Sequence, residues 1–404
     1  MIPILYDFAE TDFTSQGVGR LSDCISCTVK EVINGEYEME FQYPVSGSLF
    51  DYLVNFGGIV CAEHDHNGDL QPFEIYRYSA PIDGIVTFNA LHISYRLSNV
   101  ILRGTKTAPW SGYTPAEVFE KIPDHAQTTC DFTFTDLSGY TQESNQFSAI
   151  GLLSVRDAFL NGYRVDDPET GSAALYQVFP GEFEWDKFNV KYYRRRGGNN
   201  GLQIRYGKNL TEITRERDTS GLVSAVFPFW IGKDENDQSI IVNGPVAMSP
   251  YVDTQNVPWT CANDGMQMQT PDGELYWFGA ADFRATAIDF SSEFSEQPTQ
   301  AQLRQAALDY MSKNSTWRPY DNITVRFVDL YNASEYEEIR SLEKAKLGDY
   351  VSVYYTRLGV VAENVEIVSA TYDVLADAFV EMELGQIQTT FADALLETIG
   401  GMKR

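Results

Sequence analysis

The stretch from Arg20 to Pro44 constrains the fold most strongly, and it reads RLSDCISCTVKEVINGEYEMEFQYP. Two runs of alternating apolar and polar residues flank Asn34-Gly35, a pair that favours a tight hairpin turn because both residues tolerate positive φ. The second run places apolar and aromatic side chains on one face: Tyr37, Met39, Phe41 and Tyr43. It places acidic and amide side chains on the other face: Glu36, Glu38, Glu40 and Gln42. The sequence therefore predicts a β-hairpin with one packed face and one acidic, solvated face.

The length and charge of the chain limit its class. A chain of 404 residues is too long for one compact core, and suggests about two to four domains. Its 43% hydrophobic and 13% aromatic residues are typical of a well-packed protein. The 57 acidic residues outweigh 30 Lys and Arg and give a net charge of −27. Nucleic-acid binding is not expected, because affinity for phosphates requires clustered cations.

The chain carries no predicted membrane anchor or secretion signal. It contains no run of about 18 apolar residues, and its first residues lack a basic segment and include Asp7 and Glu10. Five sparse cysteines are expected to be reduced, mostly buried thiols of a protein made in a reducing cytoplasm. They are Cys24, Cys27, Cys61, Cys130 and Cys261.

Turn and cap signals predict further local elements. His66–Asp69 is expected to turn a hairpin between strands over Gly58–Glu63 and Pro72–Tyr78. Thr114-Pro115 is expected to start a helix, with Thr as the cap and Pro at the first helical position. The other predicted elements are helices over Ile150–Leu160 and Thr299–Met311, and strands over Ala174–Phe179 and Phe188–Tyr193.

Two later stretches echo earlier ones and suggest an internal duplication. Lys208–Trp230 has the pattern of the first hairpin, with Ser220-Gly221 at the turn and Val223, Ala225 and Phe227 as the apolar side chains. Leu347–Leu384 repeats the strand, turn and two long strands of Gly57–Leu97. We therefore expect a strand domain that occurs twice, with an insertion inside the second copy.

The hairpin, preceded by Ile4–Phe8, is the first of six short motifs. The five others are LHISYRL (Leu91–Leu97), GEFEWD (Gly181–Asp186), YGKNL (Tyr206–Leu210), KLGDYV (Lys346–Val351) and ATYDVL (Ala370–Leu375). Through these motifs the chain resembles the prophage tail proteins known as phage minor structural or prophage endopeptidase tail proteins. Its duplication is similar to that of the hub proteins of contractile-tailed phages. The resemblance implies a hub at the tip of a phage tail.

The predicted fold class is α+β, dominated by antiparallel β. Two duplicated, tube-forming, β-barrel-like domains are expected together with two smaller peripheral domains. The predicted division is 1–103 for the first tube-type domain, 104–200 for a peripheral α+β domain, 201–230 with 318–386 for the second tube-type domain, 231–317 for an inserted peripheral domain, and 387–404 for a C-terminal helix or linker.

No residue set predicts a catalytic, cofactor-binding or metal site. Cys24 and Cys27 form a lone CxxC in a strand, without the second pair that a metal needs or the helix start of a redox motif. Asp65, Asn67 and Asp69 have the spacing of a calcium loop, but they lack its downstream Glu and favour a hairpin turn.

Two enzymatic alternatives stay open. Cys24 or Cys27 with His92 is the best pair for a cysteine peptidase, although neither thiol has a neighbour that would activate it. Glu182 and Glu184 share a strand face, as paired carboxylates of a glycosidase would need to, but no neighbouring motif supports them. Some family members carry a separate lysin domain, which is expected to be absent from a chain that ends at Arg404.

Two clusters are predicted to form contacts. Arg194, Arg195 and Arg196 are expected to pair with carboxylates across a subunit interface, with phosphate binding as the alternative. A C-terminal helical stripe consists of Ile387, Phe391, Leu395 and Ile399. Because apolar side chains gain about 1.5–3 kcal/mol each on burial, this stripe is expected to pack on its own domain, on the trimer axis or on a fibre.

We expect a structural, non-enzymatic hub that forms a homotrimeric ring at the distal tip of the virion tail and is made in the bacterial cytoplasm. The ring would adapt a six-fold tube to a three-fold tip and let DNA pass without specific binding. Candidate lumen or outer-wall residues are Glu36, Glu38 and Glu40. Partners implied by the resemblance are the distal tail protein, the tape-measure protein, and a tail fibre or receptor-binding protein. The alternative function is a cell-wall hydrolase or carbohydrate-binding tail protein.

Overall fold

The computed structural model describes most of the chain. The described residues are 1–79, 84–141, 145–163, 171–206, 208–218, 223, 225–233, 238–248, 260–261, 267–269, 275–277, 285–291, 293–294, 296–314, 320–331, 344–355 and 360–385. Two compact units are present: a larger unit of Met1–Arg215 with Asn322–Arg404, and a smaller unit of Glu216–Asp321. Within the described ranges, no helix is long and apolar enough to cross a membrane.

Strands dominate both units. The first half of the chain contains β1 (Ile4–Tyr6), β2 (Gly19–Arg20), β3 (Ser26–Val32), β4 (Tyr37–Pro44), β5 (Ile59–Glu63), β6 (Leu70–Ser79), β7 (Ile85–His92), β8 (Ile101–Gly104), β9 (Trp110–Gly112), β10 (Thr133–Asp136), β11 (Phe147–Ala149), β12 (Gly151–Ser154), β13 (Glu182–Asp186), β14 (Asn189–Tyr193) and β15 (Asn199–Arg205).

The second half contains β16 (Leu210–Asp218), β17 (Ala225–Lys233), β18 (Ser239–Asn243), β19 (Ala247–Met248), β20 (Thr260–Cys261), β21 (Gln267–Gln269), β22 (Leu275–Trp277), β23 (Ala285–Asp289), β24 (Tyr320–Phe327), β25 (Tyr350–Tyr355), β26 (Val360–Asp373) and β27 (Ala378–Leu384). The helices are α1 (Phe50–Phe56), α2 (Pro115–Glu120), α3 (Ile122–His125), α4 (Val155–Leu160), α5 (Leu175–Val178), α6 (Gln300–Asn314) and a 3₁₀ helix (Ile93–Asn99). The predicted α+β class dominated by antiparallel β is confirmed.

One large sheet organises the larger unit and contains thirteen of the described strands. Its main path runs β16–β24–β27–β26–β3–β4–β7–β6–β5–β1–β2, with β25 beside β26 and β15 beside β25. The order β3–β4–β7–β6–β5 recurs as β16–β24–β27–β26–β25. We call these two sets the first and second repeat. The antiparallel pairing of β3 with β26 joins them into one sheet.

The predicted hairpin is the centre of the first repeat. β3 and β4 pair antiparallel, with Thr28 opposite Glu40 and Lys30 opposite Glu38. Asn34 adopts a φ of 53° at the turn, as the prediction required. The four apolar side chains of β4 are each no more than 1% exposed, and Phe41 stacks on Phe88 of β7 with ring centroids 5.0 Å apart. The apolar face therefore packs into the core of the larger unit.

The hairpin turn is also a tertiary contact, and this gives a testable prediction. Asn34 Nδ2 donates to the Gly181 carbonyl at 2.9 Å, and its Oδ1 accepts from the Phe183 N–H at 2.9 Å. We expect Asn34→Gly, which keeps the backbone freedom, to lower the free energy of unfolding by about 1–3 kcal/mol through loss of both bonds. Asn34→Ala should lose about 1–2 kcal/mol more, because alanine is strained at positive φ. Urea denaturation measures both; equal midpoints for the two variants would contradict the role of φ.

Several local predictions are confirmed. β5 and β6 flank the His66–Asp69 turn and pair antiparallel. Thr114 caps α2 by accepting a hydrogen bond from the Glu117 N–H at 3.2 Å. The predicted strand over Phe188–Tyr193 is β14, and the helix predicted from Thr299 is α6.

Two local predictions are wrong. The helix expected over Ile150–Leu160 is a strand in its first half, because β12 pairs with β8 and Ser154 caps α4 by accepting from the Asp157 N–H at 3.0 Å. The strand expected over Ala174–Phe179 is the short helix α5. There the Gln177 side chain accepts a hydrogen bond from the Ala174 N–H at 3.1 Å and stabilises the helix start.

The hairpin predicted over Lys208–Trp230 is not formed. β16 lies beside β24 in the large sheet, whereas β17 pairs with β18, β19 and β23 in the smaller unit. Ile323, Val325 and Phe327 of β24 are buried and supply the apolar face expected from Val223, Ala225 and Phe227. The second arm of the repeat thus comes from beyond the insertion, a pairing that local sequence patterns do not encode. Ser220-Gly221 lies outside the described residues.

The smaller unit has its own core. β17 is central, with antiparallel neighbours β18 and β19 and a parallel neighbour β23. The buried residues that form the core are Val226, Trp230, Ala247, Phe290, Leu303, Ala307 and Met311. On α6, Leu303, Ala307 and Met311 face this core, whereas Tyr310 is 38% exposed.

Candidate functional surface of the main sheet

The structure places Glu36, Glu38 and Glu40 together on the solvent side of the first hairpin. The Glu36 side chain is 63% exposed and lies 3.5 Å from Lys30 Nζ. Glu40 is exposed and its Oε2 accepts from Asn89 Nδ2 at 3.1 Å. Burial, reinforced by the negative charge of Glu36, raises the pKa of the half-buried Glu38. The three carboxylates therefore cluster at the surface, with Lys30 beside Glu36.

Polar rows cross the sheet from the second repeat to the first. One row contains, in register, Glu381, Thr371, Lys30 and Glu38. The next contains Asp373, Thr28, Glu40, Asn89 and Arg77. At the far side, Arg326 of β24 pairs with Glu381 at 2.9 Å. We call this surface the polar face; both repeats contribute to it without a break.

The arginine cluster has partners inside the chain. Arg196 is buried, and its Nη1 donates to Glu31 Oε1 at 2.8 Å and to the Phe183 carbonyl at 3.0 Å. Burial opposes the charge of Arg196, but the Glu31 carboxylate outweighs it and raises the guanidinium pKa. Arg194 is exposed and lies over the Tyr140 ring at 4.3 Å. Arg196 therefore has its carboxylate partner, Glu31, within the same chain. A role of the cluster in a subunit interface stays a prediction.

Arg195 lies beside a pair of carboxyl groups that sequence reasoning missed. Its Nη2 is 3.3 Å from Glu366 Oε1, an ion pair without hydrogen-bond geometry, and its guanidinium lies 3.3 Å from the centre of the Tyr350 ring. Burial, reinforced by the neighbouring Glu182 carboxyl group, raises the pKa of Glu366 to about 7, although Arg195 opposes the rise. The partner of Glu182 is therefore Glu366, from β26, and not Glu184.

This pair predicts a pH dependence of stability. Between the ordinary pKa of 4.5 and about 7, folded Glu366 holds a proton that the unfolded chain releases. The free energy of unfolding should therefore fall as pH rises through this window. We expect Glu366→Gln to flatten that slope, and Arg195→Gln to extend it to higher pH, because it removes the cation that opposes protonation of Glu366. Urea unfolding at several pH values tests both variants; an unchanged slope in Glu366→Gln would contradict the assignment.

A buried histidine joins the two repeats. The His66 side chain is 1% exposed; its Nε2 lies 2.7 Å from Asp329 Oδ2 and its Nδ1 lies 3.4 Å from the Tyr372 hydroxyl. Tyr331 stacks on the imidazole with centroids 4.1 Å apart. His66 belongs to the turn predicted from sequence, where Asp65 Oδ1 accepts from the Asn67 N–H at 2.7 Å. Tyr372 belongs to the ATYDVL motif, but nothing in the sequence predicted its contact with His66.

The proposed cysteine–histidine pair is not assembled. His92 is fully buried; Nδ1 lies 3.0 Å from Ser94 Oγ and Nε2 lies 3.3 Å from Gln71 Oε1. Its ring stacks on Tyr37 at 4.3 Å, and burial holds its pKa well below the ordinary value. The hydrogen bond between Cys24 and Cys27, together with burial, raises the pKa of Cys27, and the same hydrogen bond lowers the pKa of Cys24. A neutral imidazole with both nitrogens engaged is a structural group, not a base for a thiol.

The family motifs all lie in the larger unit. Residues of these motifs make contacts inside this unit. His92 is buried in its core, Asp349 Oδ1 accepts from the Gly198 N–H at 2.7 Å, and the Tyr372 hydroxyl contacts His66. The predicted C-terminal stripe of Ile387, Phe391, Leu395 and Ile399 lies outside the described residues.

Two solved prophage tail proteins are similar to this chain over nearly the full length of each. The MuSo2 prophage 43 kDa tail protein from Shewanella oneidensis has a TM-score of 0.51 at 8% identity, over 98% of this chain and 99% of that chain, which is a likeness of fold. The prophage tail protein gp18 from Listeria monocytogenes EGD-e has a TM-score of 0.49 at 14% identity over 100% of both chains.

The Escherichia coli c3393 protein, described as a type VI secretion component similar to the T4 tail proteins gp27 and gp5, has a TM-score of 0.39 at 9% identity, over 91% of this chain and 74% of that chain. No curated protein matches the chain by sequence. Residues 198–395 match the family model for the prophage endopeptidase tail. Residues 198–395 therefore match the prophage endopeptidase tail family, and the chain is similar in fold to a prophage tail protein.

Proposed function

We propose that the protein is the structural hub at the distal tip of the phage tail and assembles as a homotrimeric ring. The observation that carries the proposal is the recurrence of one strand order, first as β3–β4–β7–β6–β5 and again as β16–β24–β27–β26–β25. Three chains with two such repeats present six similar modules. A ring of this kind meets a six-fold tube on one side and a three-fold tip on the other.

The polar face supports a role as a wall of the DNA channel. Duplex DNA carries about one charge per 1.7 Å of its axis, and clustered cations would retain it. Glu36, Glu38 and Glu40 instead repel phosphate. With a screening length of about 8 Å in physiological salt, the repulsion acts only at close approach, so DNA slides past without binding.

The proposed division assigns residues 1–103 and 201–230 with 318–386 to the two ring-forming domains, and 104–200 and 231–317 to peripheral ones. The strand β17, from Ala225 onward, lies in the smaller unit and is better assigned to the inserted peripheral domain. The proposed partners are the distal tail protein, the tape-measure protein, and a fibre or receptor-binding protein. We infer a non-enzymatic role, supported by the family match and by the structural contacts of His92 and of the Asp65 turn.

Solution mass tests the proposal. Light scattering should give three times the 45.5 kDa chain mass, and negative-stain images of the same fraction should show rings with a central opening. A monomer at high protein concentration would count against a self-assembling ring. Hydrolysis of purified peptidoglycan, abolished by one Cys, His or Glu substitution, would replace the hub with the cell-wall hydrolase alternative.

A further inference from the structure

An apolar groove of about 820 Å³ lies beside α2, α3 and β10 in the larger unit. Its floor consists of Phe119, Ile122, Ala126, Cys130, Phe132 and Phe134. Phe119, Ile122 and Phe132 are nearly buried by their own neighbours, whereas Ala126, Cys130 and Phe134 remain partly accessible. The groove thus offers apolar contact area without being filled by the described part of the chain.

One wall of the groove is a free strand edge. Among the described strands, β10 pairs only with β14, in parallel. The N–H groups of Thr133 and Leu137 donate to the Phe188 and Tyr192 carbonyls at 2.9 and 2.7 Å. In a parallel pair, alternate residues direct their backbone groups to the same neighbour. The backbone groups of Phe134 and Asp136 therefore point away from β14, along the groove, where an added strand would meet them.

The charges around the groove are acidic. Glu120 and Asp136 line it, and Asp124 and Asp131 are exposed next to lining residues. The neighbouring basic side chains are engaged elsewhere, since Lys121 Nζ donates to the Ser111 carbonyl and His125 Nδ1 lies 2.7 Å from the Arg103 carbonyl. An occupant is therefore favoured if it carries Lys or Arg.

We propose that the edge of β10 binds an extended segment of another protein as an added β-strand. The segment has apolar residues at alternate positions, which enter the groove, and Lys or Arg at its ends on that same face, where they meet Glu120 and Asp136 of the acidic rim. Backbone hydrogen bonds to Phe134 and Asp136 fix its register, and the groove selects its side chains. The site does not depend on the ring or on its stoichiometry.

The probe is a fluorescein-labelled synthetic peptide of about ten residues, the length of a long strand. On one face it carries valine at the central positions and lysine at the terminal ones, and threonine fills the alternate positions. Saturable binding to the full-length protein, measured by anisotropy, is expected. Ala116→Arg, which fills the groove from α2, and Glu120→Lys, which reverses a rim charge, should each weaken binding about tenfold or more. Glu36→Lys makes the same change in net charge away from the groove and should leave affinity unchanged. Circular dichroism and the elution volume report whether each variant is folded.

Three peptide controls decide the chemistry. Equal binding of a valine–glutamate peptide would overturn the charge argument, and equal binding of a peptide with a central proline would overturn strand addition. Preferred binding of a peptide with the sequence of residues 386–404 would assign the groove to the chain's own C-terminal segment. Absence of binding by the valine–lysine peptide, or unchanged binding in both groove variants, would refute the site. Loss of self-association in Ala116→Arg would instead assign the groove to a second copy.

Discussion

Arg196→Met should lower the free energy of unfolding of the larger unit by about 3–5 kcal/mol, because it leaves the Glu31 carboxylate buried without its partner. The two side chains are only 8% and 6% exposed, so water cannot replace the lost interaction. Hydrogen exchange of β3 peptides in urea measures the effect in the larger unit itself.

Two further variants identify the cause. Glu31→Leu combined with Arg196→Met removes both charges and should recover most of the loss, since a buried ion pair adds little over an apolar pair of similar volume. Arg194→Met changes an exposed arginine two residues away and should cost about 0–1 kcal/mol. If the double variant is as unstable as Arg196→Met, the loss comes from packing and not from an unpaired charge.

Gly197→Ala should destabilise the larger unit by several kcal/mol more than Gly201→Ala. Both glycines have positive φ, 67° and 80°, so both substitutions carry a backbone strain of about 1–3 kcal/mol. At Gly201 an added Cβ meets open space, whereas at Gly197 it would lie 2.3 Å from the Gly348 carbonyl carbon. Only Gly197→Ala therefore forces two backbone segments apart.

Thermal denaturation of the two alanine variants measures this difference. The parent and Gly201→Ala should unfold at temperatures within about 10 °C of each other, as a strain of about 1–3 kcal/mol predicts for a domain of this size. Gly197→Ala should unfold far below both or fail to accumulate as folded protein. Similar midpoints for the two variants would contradict the prediction and would mean that the backbone at Gly348 shifts at little energetic cost.

These effects concentrate at one joint of the larger unit. The loop of residues 194–198 packs on the KLGDYV motif, where Gly348 has a φ of 85° and Asp349 accepts hydrogen bonds from the Gly198 N–H at 2.7 Å and Asn200 Nδ2 at 2.9 Å. Burial raises the pKa of Asp349. The KLGDYV motif therefore has a structural role. Gly348 allows the backbone of the 194–198 loop to approach closely, and the buried Asp349 carboxylate accepts hydrogen bonds from that loop and from Asn200.

The sequence by itself determined the elements whose information is local. Alternation placed the apolar face of β4 in the core and Glu36, Glu38 and Glu40 in solvent, and Asn34 fixed the hairpin turn through its tolerance of positive φ. Thr114 likewise marked the start of α2, because a capping side chain bonds to backbone groups only a few residues away. Where the pattern was short, as over Ile150–Leu160, strand and helix were not separable, because a few apolar residues fit both periods.

Only the tertiary structure decided which distant segments meet. Arg196 pairs with Glu31, Glu366 lies beside Glu182, and His66 contacts Asp329, although long stretches of chain separate the two members of each pair. The second arm of the second repeat is β24 and not β17, because the insertion separates the paired strands in sequence but not in the sheet. Pairing across such distances depends on the packing of whole faces, which a local sequence pattern does not encode. The sequence therefore indicated a duplication, but it did not indicate that β16 pairs with β24.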